Sequence, residues 1–260
     1  MEKDYGFAVV HVPHASVEIP DKYRKTMLPD EKRLQREIRR MTDAFCDQLY
    51  DAPEFPTRVI APVSRFVCDV ERFRDDKLEP CAKYGQGLMY TQAAPFLKLR
   101  EYDQALRDDI LREIYDPHHE KLTAAVEKAL ERYNKCLIID GHSFNSSMFL
   151  KPDNKLSFPF LFPDFDIGVD SYHTPAGLRD TICAYVKELG YKPKVNTPFG
   201  GTITPMKFYQ NDKCVFSIMF ETNRKLYMNE TDMTKAEGFE KTRQTCHALM
   251  RCAADYVLNI

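Results

Sequence analysis

The chain has 260 residues, of which 43% are hydrophobic, and a formal net charge of −2. That length allows one large α/β domain or two small ones, and the near-neutral balance excludes a general attraction to nucleic acid or to anionic membranes. No run approaches the roughly 20 consecutive apolar residues that a membrane helix needs.

Residues 1–5 lack the basic-then-apolar layout of a secretory signal, so the expected location is the cytoplasm. The eight cysteines stand singly, with no C-x-x-C pair, and several lie inside apolar runs. They read as reduced thiols packing as small hydrophobes.

In chain order, residues 7–12 form an apolar run that reads as a buried strand, ending in Pro13-His14-Ala15-Ser16. Residues 30–50 carry apolar side chains at helical spacing (Leu34, Ile38, Met41, Phe45, Leu49), with Asp30 as N-cap. The mixed charges of residues 31–40 predict a solvated helix face. Residues 57–61 and 66–70 are short β-branched runs. A turn-rich stretch over 73–95, centred on Gly85-Gln86-Gly87, reads as a flap.

Two helices are predicted over 97–115 and 119–133, separated by Tyr115-Asp116-Pro117-His118-His119. Residues 136–140 have the continuous apolar character of a central parallel strand and deliver Asp140-Gly141-His142-Ser143. A helix over 175–189 with Gly190 as its C-cap follows. Then come a short strand at 194–196, a glycine turn at Gly200-Gly201, and a strand over 215–220 leading to Glu221-Thr222-Asn223-Arg224. A long amphipathic helix over 233–258 closes the chain. Alternating strands and helices without repeats or linkers predict a single α/β domain over residues 1–260, with a central mixed, mostly parallel sheet flanked by helices.

Ligands in open α/β sheets bind beyond the carboxyl ends of the strands. His14, His142 and Glu221 each follow such an end, and a catalytic zinc takes three protein ligands, leaving a position for water. One more ligand is required. Asp43 is preferred, although it would have to point from its helix toward the site. Glu18 and His11 compete with it, but the spacing of His11 from His14 across a strand end sends the two to opposite faces.

Glu221, at the end of an apolar strand, suits the base that deprotonates metal-bound water; the alternative is a structural ion pair with Arg224 or Arg65. Arg65 and Arg72 flank the run at 66–70, where an odd separation on a regular strand places them on opposite faces. Either could cradle a carboxylate or stabilise an oxyanion. Gly200-Gly201-Thr202 lacks the ending of a phosphate loop and reads as a close approach of backbone to ligand, or as a turn. Neither Ser16 nor Ser143 lies in G-x-S-x-G.

These elements, in this order, resemble the N-formylglutamate amidohydrolase family. The likeness is carried by Pro13-His14-Ala15-Ser16 with Ile19-Pro20, Thr42-Asp43, Ser64-Arg65 through Arg72, and Tyr115-Asp116-Pro117-His118-His119. It continues in Asp140-Gly141-His142-Ser143, Gly200-Gly201 and Glu221-Thr222-Asn223-Arg224 through Met228.

The resemblance implies a phosphorylase/hydrolase-like fold akin to zinc carboxypeptidases and the aspartoacylase group. It also implies hydrolysis of N-formyl-L-glutamate to formate and glutamate, as in histidine degradation. By that likeness His14, Asp43 and His142 bind zinc and Glu221 is the base. Arg65 polarises the scissile carbonyl and Arg72 receives a substrate carboxylate. His119, Arg224 and Gly201 complete the candidate substrate-binding set. One departure stands out: the family motif reads Asp-x-Asn-Arg, and here it is Asp69-Val70-Glu71-Arg72. A carboxylate facing the pocket there would repel a substrate carboxylate and suit an amine or amide.

The expected function is therefore zinc-dependent hydrolysis of a small N-acyl amino acid. The rivals are a carboxypeptidase-like hydrolase of peptide or cell-wall amides, with a wider cleft, and a non-catalytic ligand-binding relative.

Overall fold

In the computed structural model, which describes residues 5–93, 97–146 and 163–260, alternation along the strands builds two packing layers. The first strand, β1 (Ala8–Val12), pairs in parallel with β2 (Thr57–Ile60) on one side. Between these two strands run α1 (Asp21–Arg24), α2 (Glu31–Met41) and α3 (Cys46–Leu49). A two-stranded antiparallel ribbon, β3 (Gln92–Ala93) and β4 (Leu97–Lys98), precedes α4 (Gln104–Ile110) and α5 (Asp116–Tyr133).

The second half supplies β5 (Cys136–Phe144), β6 (Phe165–Gly168), α6 (Ala176–Glu188), β7 (Pro193–Val195) and β8 (Val215–Asn223). A second ribbon, β9 (Met228–Asn229) with β10 (Thr234–Lys235), leads to α7 (Phe239–Leu258). The six-stranded sheet has the order β2-β1-β5-β8-β6-β7, with β6 antiparallel to β8. It is thus a mixed, mostly parallel sheet in one α/β unit.

Period-two side-chain placement assigns each strand residue to a layer. Val10, Val12, Leu137 and Ile139 join α3, α6 and α7 in one core, while Val9, Cys136 and Ile138 pack with Leu122 and Val126 of α5 in another. Burial on both faces is what the continuous apolar run of β5 predicts. A third cluster lies beside the sheet, where Leu34 and Ile38 of α2 meet Phe66, Val67, Leu88 and Ile110.

Five sequence expectations are corrected. The helix predicted over 30–50 begins as expected, with the Asp30 carboxylate accepting from the Arg33 N–H at 2.9 Å. It breaks, however, at Thr42, and Phe45 adopts a left-handed conformation (φ 66°) before α3. Residues 66–70 are not a strand. They are buried turns, with the N–H groups of Val67 and Cys68 both donating to the Ser64 carbonyl. The break expected near Pro117 is absent, because a π-helical turn (Leu111–Tyr115) joins α4 to α5, while Leu97–Lys98 is strand. The last helix starts at Phe239 rather than 233. Finally, β5 and β8 run on to Phe144 and Asn223, so His142 and Glu221 lie within strands, near their ends, rather than beyond them.

A candidate metal centre and its cleft

Three segments from distant parts of the chain meet at the carboxyl end of the sheet. His14 follows β1 directly, His142 is the seventh residue of β5, and Asp43 occupies the break after α2. The break is stitched to the loop after β1, because the Asp43 N–H donates to the His14 carbonyl at 2.9 Å. Freed from a helix, Asp43 turns inward. Its Oδ2 lies 3.2 Å from His142 Nδ1 and 3.7 Å from His14 Nδ1, and the two imidazole centroids are 5.1 Å apart. All three side chains are buried, with ligand atoms within 4.8 Å of one another. Metal–ligand bonds of about 2 Å close gaps of this size around one cation.

The far side of each group is held by a charged partner. His14 donates from Nε2 to Asp69 Oδ1 at 2.8 Å, and His142 donates from Nε2 toward Asp140 Oδ1 and Glu71 Oε1, each at 3.1 Å. Arg224 donates from Nη2 to Asp43 Oδ1 at 2.8 Å. Both Nδ1 atoms face Asp43 Oδ2: His142 Nδ1 is within hydrogen-bond distance of it at 3.2 Å, and His14 Nδ1 is buried without a hydrogen-bond partner. An orphaned imidazole nitrogen beside a second imidazole and a carboxylate is a donor set that fits zinc. Burial alone would raise the Asp43 carboxyl, but His14, His142 and Arg224 outweigh it and hold the group well below the usual carboxylate range. Burial alone would likewise lower the His142 imidazole, but the carboxylates of Glu71 and Asp140 lift it well above the ordinary histidine range.

Glu221 faces His142 across the β5–β8 ladder, where the two are register partners. It is only 6% exposed, and its Oε2 has no partner. Burial, reinforced by Asp43 and Glu71 against the opposing effect of His142, pushes its carboxyl up to about 8.

Because residues 66–70 are turns, the strand-parity argument for the two arginines fails, and both converge on one carboxylate. Arg65 Nη2 donates to Asp69 Oδ2 at 2.8 Å, and Arg72 Nε lies 3.3 Å from the same oxygen. The Tyr90 hydroxyl also donates to it, at 2.7 Å. Burial works against an ionised Asp69, yet Arg65, His14 and Arg72 hold it well below the usual range.

His14, Asp43, His142, Glu221, Arg65 and Arg72 line one cleft of about 360 Å³, within the ordinary range for small-molecule sites. Unsatisfied buried polar atoms are rare in folded proteins. Here His14 Nδ1, Glu221 Oε2, Arg65 Nε, Arg72 Nε and Arg40 Nη2 all belong to residues lining this cleft. A larger groove of about 1070 Å³ lies elsewhere, beside Tyr5 and the end of α7. Its charged groups are already paired, Arg251 with Glu54 at 2.7 Å and Asp255 with the Tyr5 hydroxyl at 2.8 Å, so the smaller cleft is the chemical one.

The remaining candidates supply none of the three inward-facing ligand atoms. Glu18 is exposed. His11, register partner of Asp140 in β5, donates from Nδ1 to Asp140 Oδ1 at 2.8 Å, and its Nε2 meets His118 Nε2 at 2.9 Å. Of the three groups weighed for the third ligand, Asp43 is therefore the one at the centre. His119 donates from Nε2 to the Val70 carbonyl at 2.8 Å, and burial lowers its pKa to about 4. It lines an adjoining compartment rather than the metal cleft, as does Gly201, whose φ of +88° is favourable only for glycine. Arg224 is buried and spends its guanidinium on Asp43, Ser143 and the Arg40 carbonyl.

Sequence reasoning missed Asp140, Asp69 as a hub, and Arg40. A signal existed for Asp140, because strand residues two apart share a face. None existed for Arg40, which the mixed-charge helix concealed.

The family model described as N-formylglutamate amidohydrolase matches residues 7–228. The crystal structure of an N-formylglutamate amidohydrolase from Ralstonia eutropha JMP134 is similar to this fold, with a TM-score of 0.82 at 22% identity, covering 99% of this chain and 96% of that one. A gene product of Agrobacterium tumefaciens is similar at a TM-score of 0.70 and 17% identity, covering 96% and 92%. No curated protein matches the sequence.

Proposed function

The chain belongs to the N-formylglutamate amidohydrolase family, and from that premise we propose that it is a zinc-dependent hydrolase of small N-acyl amino acids. The observation that carries this reading is the meeting, in one cleft, of three inward-facing ligand atoms and the unpartnered Oε2 of Glu221.

His14 and His142, through Nδ1, and Asp43, through Oδ2, are the groups that would hold the cation. When bound, a divalent metal supplies Lewis acidity, polarising an amide carbonyl and acidifying water. Glu221 removes the proton from the attacking water and returns it to the departing amine nitrogen. Burial raises the Glu221 carboxyl in the metal-free chain, and a cation held beside it would favour the ionised form that a base requires. Arg65 brings a buried, unpartnered Nε–H to the cleft wall, fitted to meet the carbonyl oxygen as it becomes anionic. Arg72 orients the substrate from the same wall. Arg224 acts through Asp43, so it is a positioning residue.

The size of the cleft favours a small substrate over a peptide. Residues of the expected flap contribute Cys81, Gln86 and Tyr90 to its wall. The eight cysteines are unpaired thiols, which suits a reducing compartment such as the cytoplasm.

The test is amine release from N-formyl and N-acetyl amino acids and from dipeptides. Turnover of the N-acyl amino acids, abolished by a chelator and restored by zinc, is the expected result. Turnover of dipeptides alone, or of nothing in the panel, overturns the proposal.

A further inference from the structure

The cleft holds four guanidinium groups, and each lies against a carboxylate. Arg224 pairs with Asp43 at 2.8 Å, and Arg40 pairs at 2.9 Å with Glu37, which Arg36 also contacts at 3.3 Å. Arg65 and Arg72 share the carboxylate of Asp69, and Glu71, two residues further along, adds its own carboxylate to the same cleft. Its Oε1 lies 3.1 Å from His142 Nε2 and its Oε2 3.8 Å from His14 Nδ1, so the carboxylate faces into the centre. A substrate carboxylate landing on that wall would thus meet the Glu71 carboxylate as well as the two arginines.

Glu71 also stands at a junction. Together with Arg72, Cys81, Gly200 and Met219 it lines both the metal cleft and the adjoining compartment of about 410 Å³. Glu71, Glu79, Asp140 and Asp170 line that compartment together with Arg72 and Arg74, and Arg74 is tied to Asp116 through two contacts of 3.0 and 3.1 Å. Thr204, only 7% exposed, lines it with a hydroxyl that has no hydrogen-bond partner.

Resting on the amidohydrolase reading above, we propose that Glu71 selects N-acyl substrates whose amine half ends in a cationic group, which passes Glu71 into this acidic compartment. A terminal ammonium gains the Glu71 carboxylate, whereas a terminal carboxylate meets it as a like charge.

The experiment compares three amino acids, L-lysine, L-norleucine and L-glutamate, each as its Nα-formyl and Nα-acetyl derivative. Specificity constants are measured on the zinc-loaded enzyme and dissociation constants on the Glu221→Gln variant, so that preference is read with and without turnover. The expected order is lysine over norleucine over glutamate, spanning about tenfold or more and carried by KM, the size of one partly shielded charge-assisted contact. Glu71→Gln, which retains an acceptor for His142, should abolish the lysine advantage; if that variant does not fold, the wild-type order decides.

A glutamate preference, or no discrimination by charge in either measurement, overturns the inference. Binding in the expected order without turnover of any N-acyl compound sinks the hydrolase reading and leaves the selection by Glu71 standing. Turnover led by glutamate does the reverse.

Discussion

His14 Nε2 and Asp69 Oδ1 are 2.8 Å apart, and the second oxygen of that carboxylate, Oδ2, takes Arg65, Arg72 and the Tyr90 hydroxyl. One buried side chain thereby fixes the ring orientation of a would-be ligand and the placement of both arginines on the opposite wall. Replacing Asp69 with Asn should weaken zinc binding by about 10–100-fold, the usual effect of losing a carboxylate behind a metal-binding histidine. The loss of its charge beside two guanidiniums should also cost about 3 kcal/mol of stability. Competition with a chromophoric chelator and urea unfolding measure the two effects, and unchanged zinc affinity would remove Asp69 from the design.

Replacing Glu221 with Gln removes the proton carrier but keeps the shape of the side chain. The turnover number should fall by about 10²–10⁴-fold, the range for a general acid–base group. Zinc content, measured by elemental analysis, should stay at the wild-type level.

The raised carboxyl of Glu221 makes a separate prediction for the metal-free protein. Its folded pKa, about 8, lies above the ordinary value of 4.5, so between those limits the folded chain holds a proton that the unfolded chain has released. The contribution of this group to stability then falls as pH rises through that window. Urea midpoints of the metal-free wild type and of Glu221→Gln across the window isolate it, and the advantage of the wild type over the variant should shrink as pH rises.

Removing the metal should lower the thermal midpoint. Zinc at a hundred times its dissociation constant contributes about 2.7 kcal/mol, which corresponds to roughly 5–10 °C for a chain of this size. Calorimetry with and without chelator reads the shift, and alanine at His14, Asp43 or His142 should erase it.

A fifth expectation concerns Gly141. A β-carbon there would stand 2.5 Å from the Tyr50 ring, whose hydroxyl donates to the Phe220 carbonyl at 2.9 Å. The ring cannot withdraw without surrendering that bond, so Gly141→Ala should destabilise by about 1–3 kcal/mol. A denaturation curve identical to the wild type would contradict this packing.

The parts legible from sequence were those in which a buried strand has to end. Apolar runs before His14, before His142 and before Glu221 announced both the sheet and the polar groups at its carboxyl edge. The break that frees Asp43 was hidden, because Leu34, Ile38, Met41, Phe45 and Leu49 keep helical spacing across it, and the left-handed conformation of Phe45 leaves no mark on that periodicity.

Residues 66–70 misled for the opposite reason. Their β-branched and apolar side chains are fully buried, but against Leu88, Tyr90 and Ile110 in a cluster beside the sheet rather than in a ladder. Pro117 suggested a helix boundary, yet the π-helical turn just before it carries the helix through. The antiparallel strand β6 escaped notice altogether.

Because His142 and Glu221 are partners across adjacent parallel strands, their spacing is set by backbone pairing, at about 4.8 Å between strands. Arg65, Glu71, Arg72 and Gly200, by contrast, sit on connecting segments that no ladder constrains. Descendants of this chain can therefore exchange wall residues and acquire new substrate preferences while inheriting an undisturbed reaction axis.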